Sequence, residues 1–133
     1  LRHVPFLTDL NMASCGLGVG SLAFLSHTPR LKRLSITSNS RLERDALTNL
    51  SLLGNLESLC VWRCKQFDPD MLRHLEHVPQ LKRLSIGETF IAGDALQNLK
   101  FVTQLQVLEI VACKHLETYA LTHLKHTPDL RAL

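Results

Sequence analysis

Cys60 and Cys64 bracket Val61, Trp62 and Arg63 in the run CVWRC, a spacing that zinc ligands can use. A tetrahedral site needs further ligands, and no second cysteine or histidine pair follows at a suitable distance. His74 with His77, and His123 with His126, are i, i+3 pairs whose imidazoles share one helix face, and two such rings can grip a metal ion. No carboxylate recurs with them at fixed spacing, and histidine near a helix C-terminus is favoured by the dipole without any ligand. Gly16, Gly18 and Gly20 form G-x-G-x-G, one residue short of the dinucleotide fingerprint. No G-x-S-x-G and no H-E-x-x-H is present, and no cysteine and histidine fall in register as a dyad. The residues therefore predict no catalytic set, no metal and no cofactor.

The elements that position these side chains follow from a period. The phrase L-x-x-L-x-aliphatic occurs at Leu7, Leu31, Leu56, Leu81 and Leu105, and begins again at Leu130. A period of 24 or 25 residues holds a strand and a short helix. Eight residues after each leading leucine stands Cys15, Asn39, Cys64, Thr89 or Cys113, small groups able to hydrogen-bond in the bend after a strand. An i, i+3 leucine pair follows in every unit, as at Leu47 and Leu50 or Leu72 and Leu75, marking one face of a helix. Asp68 before Pro69 predicts an N-cap, and Asp45, Asp70 and Asp94 fall in first turns, where the dipole favours anions. Pro5, Pro29, Pro79 and Pro128 stop the helices just before the next strand.

Leucine supplies 28 of the 133 residues and aromatics only 5%, so the core is aliphatic. A net charge of +3 is too small to argue for nucleic acid, and no apolar run approaches the roughly 18 residues of a membrane span. Because strand side chains alternate, the fourth and sixth positions of each phrase point into the core, and the third, fifth and seventh line the opposite face. Helices on one side and bare strand positions on the other curve the stack.

The phrase L-x-x-L-x-I-x-x-C/N followed by A-L-x-x-L resembles the leucine-rich repeat over the whole chain, most closely its cysteine-containing and ribonuclease-inhibitor-like subclasses. The resemblance implies an α/β solenoid: a right-handed superhelix or horseshoe with a parallel sheet on the concave face and short helices on the convex face. Residues 1–133 then form one leucine-rich repeat domain, with repeats starting at 7, 31, 56, 81 and 105 and partial repeats at both ends. Both ends lack caps, so further repeats or domains of the same chain are expected beyond them. Ladder cysteines about 10 Å apart cannot bridge, which fits reduced thiols in an intracellular, cytoplasmic setting.

The concave positions carry the candidate site. Trp62, the single tryptophan, lies at a seventh position in the middle strand, where an apolar anchor for a partner is expected. Arg33 and Arg83 lie on the neighbouring strands, and with Arg63 they are expected to pair with acidic or phosphorylated groups. Ser35, Ser85, Cys60 and Glu109 complete the surface. The expected function is a non-catalytic protein-interaction scaffold that binds a protein or peptide. A substrate-recruiting arm of an F-box-type ubiquitin ligase, which the family resemblance implies, and a structural subunit of a large assembly are the alternatives. A membrane partner is not expected, and the interspersed acids count against nucleic acid.

Overall fold

The computed structural model describes residues 4–18, 20–42, 45–113 and 115–133. Five strands, β1 (Asp9–Asn11), β2 (Arg33–Ser35), β3 (Ser58–Trp62), β4 (Arg83–Gly87) and β5 (Val107–Val111), form one parallel sheet in chain order. Register partners lie 24 or 25 residues apart, so Leu34, Leu59, Leu84 and Leu108 stand in one row and Val61, Ile86 and Ile110 in the next. The fourth-position row is buried from Leu34 to Leu108, as the alternation predicts, because these leucines close over the helices behind the sheet. One hydrophobic cluster runs from Leu17 to Ala120.

A short helix follows each strand: Ala23–His27, Ala46–Leu52, Pro69–His77, Gly93–Phe101 and Thr118–His126. All five are 3₁₀ helices, whereas the leucine spacing is equally compatible with an α-helix. Such runs seldom exceed three or four residues. Here three of them reach nine residues, and in two of these the buried leucines recur every three residues, at Leu72 and Leu75 and at Leu96 and Leu99. Leu47, Leu50, Leu53 and Leu56 are buried in single file, and so are Leu72, Leu75, Val78 and Leu81. At three residues per turn the helical members of each file lie above one another, and the i, i+3 turns that follow each helix, such as Leu53 N–H to the Leu50 carbonyl and Leu56 N–H to the Leu53 carbonyl, continue the row. Side chains reinforce the tight turns: Ser26, Asn49, Ser51, Asn98 and Thr122 each donate to the carbonyl three residues earlier. Asp68 caps the Pro69–His77 helix, accepting from the Asp70 N–H at 2.9 Å. Asp45 sits at the N-cap of its helix and Asp94 in a first turn, and neither helix start carries a side-chain cap bond.

The bend after each strand is built alike. Ser14, Ser38, Arg63, Glu88 and Ala112, always seven residues past the leading leucine, adopt left-handed conformations with φ between +48° and +57°. Four of them still donate into the ladder of the next strand, as Ser38 N–H does to the Trp62 carbonyl at 2.7 Å. The following residue turns inward in the three middle units, at Asn39, Cys64 and Thr89, whereas Cys15 is exposed and Cys113 half-buried. Asn39, fully buried, spreads its amide over the carbonyls of Met12, Ile36 and Thr37 and accepts from the Leu17 N–H at 3.0 Å. Cys64 takes the same place one unit later and donates to the Ile36 carbonyl at 3.2 Å. Within the sheet each strand lies next to only the preceding and following strands, and each helix next to only the preceding and following helices, while side chains of both layers meet in the shared core.

Candidate interaction surface

On the side of the sheet away from the helices, the side chains form three rows across the strands. The first row runs Asp9, Arg33, Ser58, Arg83, Val107 and the second Asn11, Ser35, Cys60, Ser85, Glu109. The third holds Trp62, Gly87 and Val111. Most of these residues are half-buried or exposed, and no described element packs over them.

Most of the charge is already spent on neighbours. Arg33 forms an ion pair with Asp9, and that hydrogen-bonded guanidinium holds the Asp9 carboxyl below the usual carboxylate range. Arg63 grips both oxygens of Glu88 from its left-handed bend, each at 3.0 Å. Glu57 is shared by Lys82 at 3.1 Å and Lys32 at 3.2 Å, and its pKa falls for that reason. Arg83 is not spent in this way: it is exposed and, among the described residues, makes no ion pair. It lines two adjoining depressions, one of about 220 Å³ with Arg33, Glu57, Ser58, Lys82 and Gln106, the other of about 240 Å³ with Ser58, Cys60, Ser85 and Glu109. The Glu109 carboxylate is exposed and equally without a cationic partner among the described residues.

Trp62 lies on the open face in the predicted strand and register, but it does not stand free. Its Nε1–H donates to the Ser85 hydroxyl at 2.6 Å and its ring lies on Gly87. Arg33 and Arg83 lie on the neighbouring strands, as expected, but not beside the indole. Those residues pair with Ser58, four residues along the strand from Trp62 and thus roughly 13 Å away at about 3.3 Å per residue. The basic row and the indole occupy opposite ends of the face. Ser35 shares a hydrogen bond with Thr37 at 3.2 Å, and the Cys60 thiol lies 3.8 Å from the Thr37 hydroxyl.

The other sequence candidates separate. Cys60 faces out and Cys64 faces in, where burial raises its thiol pKa, so the pair does not converge on a metal. No group of three metal-ligating side chains occurs among the described residues. Cys15, Cys60, Cys64 and Cys113 are all free thiols. Both histidine pairs stack ring on ring, at 5.9 Å and 6.1 Å between centroids, since residues three apart eclipse in a 3₁₀ helix. His74 is not a solvated helix end: it is buried, and burial lowers its pKa. In the glycine run, Gly16 and Gly20 adopt left-handed conformations that suit a loop, and residue 19 lies outside the described residues.

One cluster was missed by sequence reasoning. Past the C-terminal ends of β3, β4 and β5, Lys65, Glu88, Thr89, Phe90, Ala112 and His115 line a cleft of about 410 Å³. The available signal was Phe90, an aromatic immediately after an inward ladder residue, where the other units carry glycine, serine or lysine.

No family model matches the chain, and no curated protein matches it.

Proposed function

We propose that this chain forms a leucine-rich repeat solenoid whose concave sheet binds a partner protein or peptide. The observation that carries this reading is the uncovered face of the parallel sheet. All-parallel sheets are almost always covered on both faces. Here one face is packed by helices, while the other presents Arg83, Glu109, Val111 and the half-buried Trp62. Arg83 and Glu109, on adjacent strands and each without an ionic partner among the described residues, give the surface a positive and a negative anchor. Arg83 is the guanidinium best placed to take an acidic or phosphorylated group, since Arg33 and Arg63 already hold Asp9 and Glu88. Free thiols at four positions suit a reducing compartment.

The test is affinity capture from source lysate with the wild-type chain, Arg83→Glu and a control on the helical side, Lys100→Glu, all matched for fold by circular dichroism. A specific protein retained by wild type and Lys100→Glu and lost by Arg83→Glu is expected. Retention of the same proteins by all three would move the binding surface off the sheet.

A further inference from the structure

The cleft beyond the strand ends is separate from the open face and has a chemistry of its own. Ala112 lines it beside an aromatic pair, Phe90 against His115, with ring centroids 4.4 Å apart and planes tilted by 42°. Phe90 is half exposed, an arrangement that leaves part of an apolar ring facing the cleft without cover. The wall is preformed. A parallel bridge joins Ala92 to His115, Ile91 N–H donates to the Thr89 carbonyl, and Leu116 N–H donates to the Cys113 carbonyl. His115 is thus held to the neighbouring unit by the Ala92 bridge, and Phe90 sits inside the tight turn closed by the Ile91 N–H and the Thr89 carbonyl.

The charge of the cleft is lopsided. Glu88 is its one carboxylate among the described residues, and Arg63 holds both Glu88 oxygens. Lys65 is exposed and has no ionic partner among the described residues. One ammonium and one guanidinium against one carboxylate leave a net positive rim beside an exposed ring. Ligand sites combine such apolar walls with a few charged groups in volumes of about 300–1,000 Å³, and about 410 Å³ lies within that range.

We propose that this cleft binds an aromatic anion, a planar ring bearing a phosphate or carboxylate, with the ring against Phe90 and His115 and the anionic group at Lys65. The ring and the charge are both required: a bare anion leaves the phenyl wall wet, and an uncharged ring leaves Lys65 unpaired.

Two-dimensional ¹H–¹⁵N spectra of the full chain, titrated with phenyl phosphate, inorganic phosphate and phenol, test this. Phenyl phosphate is expected to shift the amides of Thr89, Phe90, Ala112 and His115 saturably, and to bind more tightly than either fragment. Lys65→Gln should weaken it about threefold, the scale of an exposed ion pair. Phe90→Ala should weaken it by about threefold to tenfold, the scale of an aromatic contact. Phe90→Leu, which keeps the wall apolar, guards against a folding defect and should fall between. A capped phosphotyrosine peptide distinguishes the source. Binding well above phenyl phosphate makes the ligand a side chain of a protein, and equal binding makes it a free small molecule. Phenyl phosphate no better than inorganic phosphate, shifts outside the cleft, or indifference to both Lys65→Gln and Phe90→Ala would overturn the proposal.

Discussion

The indole of Trp62 lies flat on Gly87, its register partner in the next strand. A Cβ placed on that glycine would come within 2.7 Å of two ring atoms, Cδ2 and Cε2. The glycine is needed for the ring above it, since its φ is not left-handed. Gly87→Ala should therefore lower stability by about 1–3 kcal/mol, the usual cost of overpacking. Because the strain belongs to the pair, Trp62→Ala should relieve most of it. Urea denaturation of the two single variants, the double variant and wild type reads the coupling, and strictly additive losses would show that the ring and the glycine are independent.

Ala112 should be improved by losing its side chain. It is exposed and held at φ 53°, where a Cβ costs roughly 1–2 kcal/mol. Ala112→Gly should raise the unfolding free energy by about 1 kcal/mol, after the greater freedom of glycine in the unfolded chain is subtracted. Ala23→Gly, at the exposed start of the first helix and without a left-handed φ, should lower it by about 0.5–1 kcal/mol. Thermal melts showing the same sign for both variants would contradict this account.

His74 should make the fold acid-sensitive. Burial, then Arg73 and His77, oppose the imidazolium in the folded chain, while Asp45 and Glu76 favour it weakly, and the pKa is lowered from 6.5. Its Nδ1 is buried without a hydrogen-bond partner, and Nε2 lies 3.4 Å from the Thr48 hydroxyl. Below about pH 6.5 the unfolded chain takes up a proton that the folded chain resists, so stability is lost as the pH falls. Above that value the contribution is complete. Urea midpoints measured between about pH 7 and 5 should fall less in His74→Leu than in wild type. Parallel curves would assign the acid response to other groups.

Much of this arrangement is legible in the sequence, and the exceptions share a cause. The phrase period fixes strand register, so Leu34, Leu59, Leu84 and Leu108 fall in one row as their positions require. The same offsets carry the ion pairs: Arg33 is 24 residues past Asp9, and Glu88 is 25 past Arg63. Helix type was less accessible, because an i, i+3 pair fits both kinds of helix. The longer run Leu47, Leu50, Leu53, Leu56 holds the distinguishing information. The face of Trp62 follows from alternation, but its posture depends on the glycine opposite, a relation between strands rather than within one. The Phe90 and His115 wall depends on ring orientation in two bends, which no spacing specifies.

The restriction of contact to adjacent strands and adjacent helices has a consequence for how the chain comes apart. Among the described residues no contact ties β1 to β5, so the two strands need not melt together. Loss of β1 removes one neighbour from β2 and leaves the pairing of β3 with β4 untouched. Opening can thus proceed one strand at a time, with amide exchange slowest in β3 and β4, which have five-residue pairings on the sides they share. The stability of this chain is a profile along its length, highest where Trp62 and Gly87 meet, and a single melting temperature averages over it.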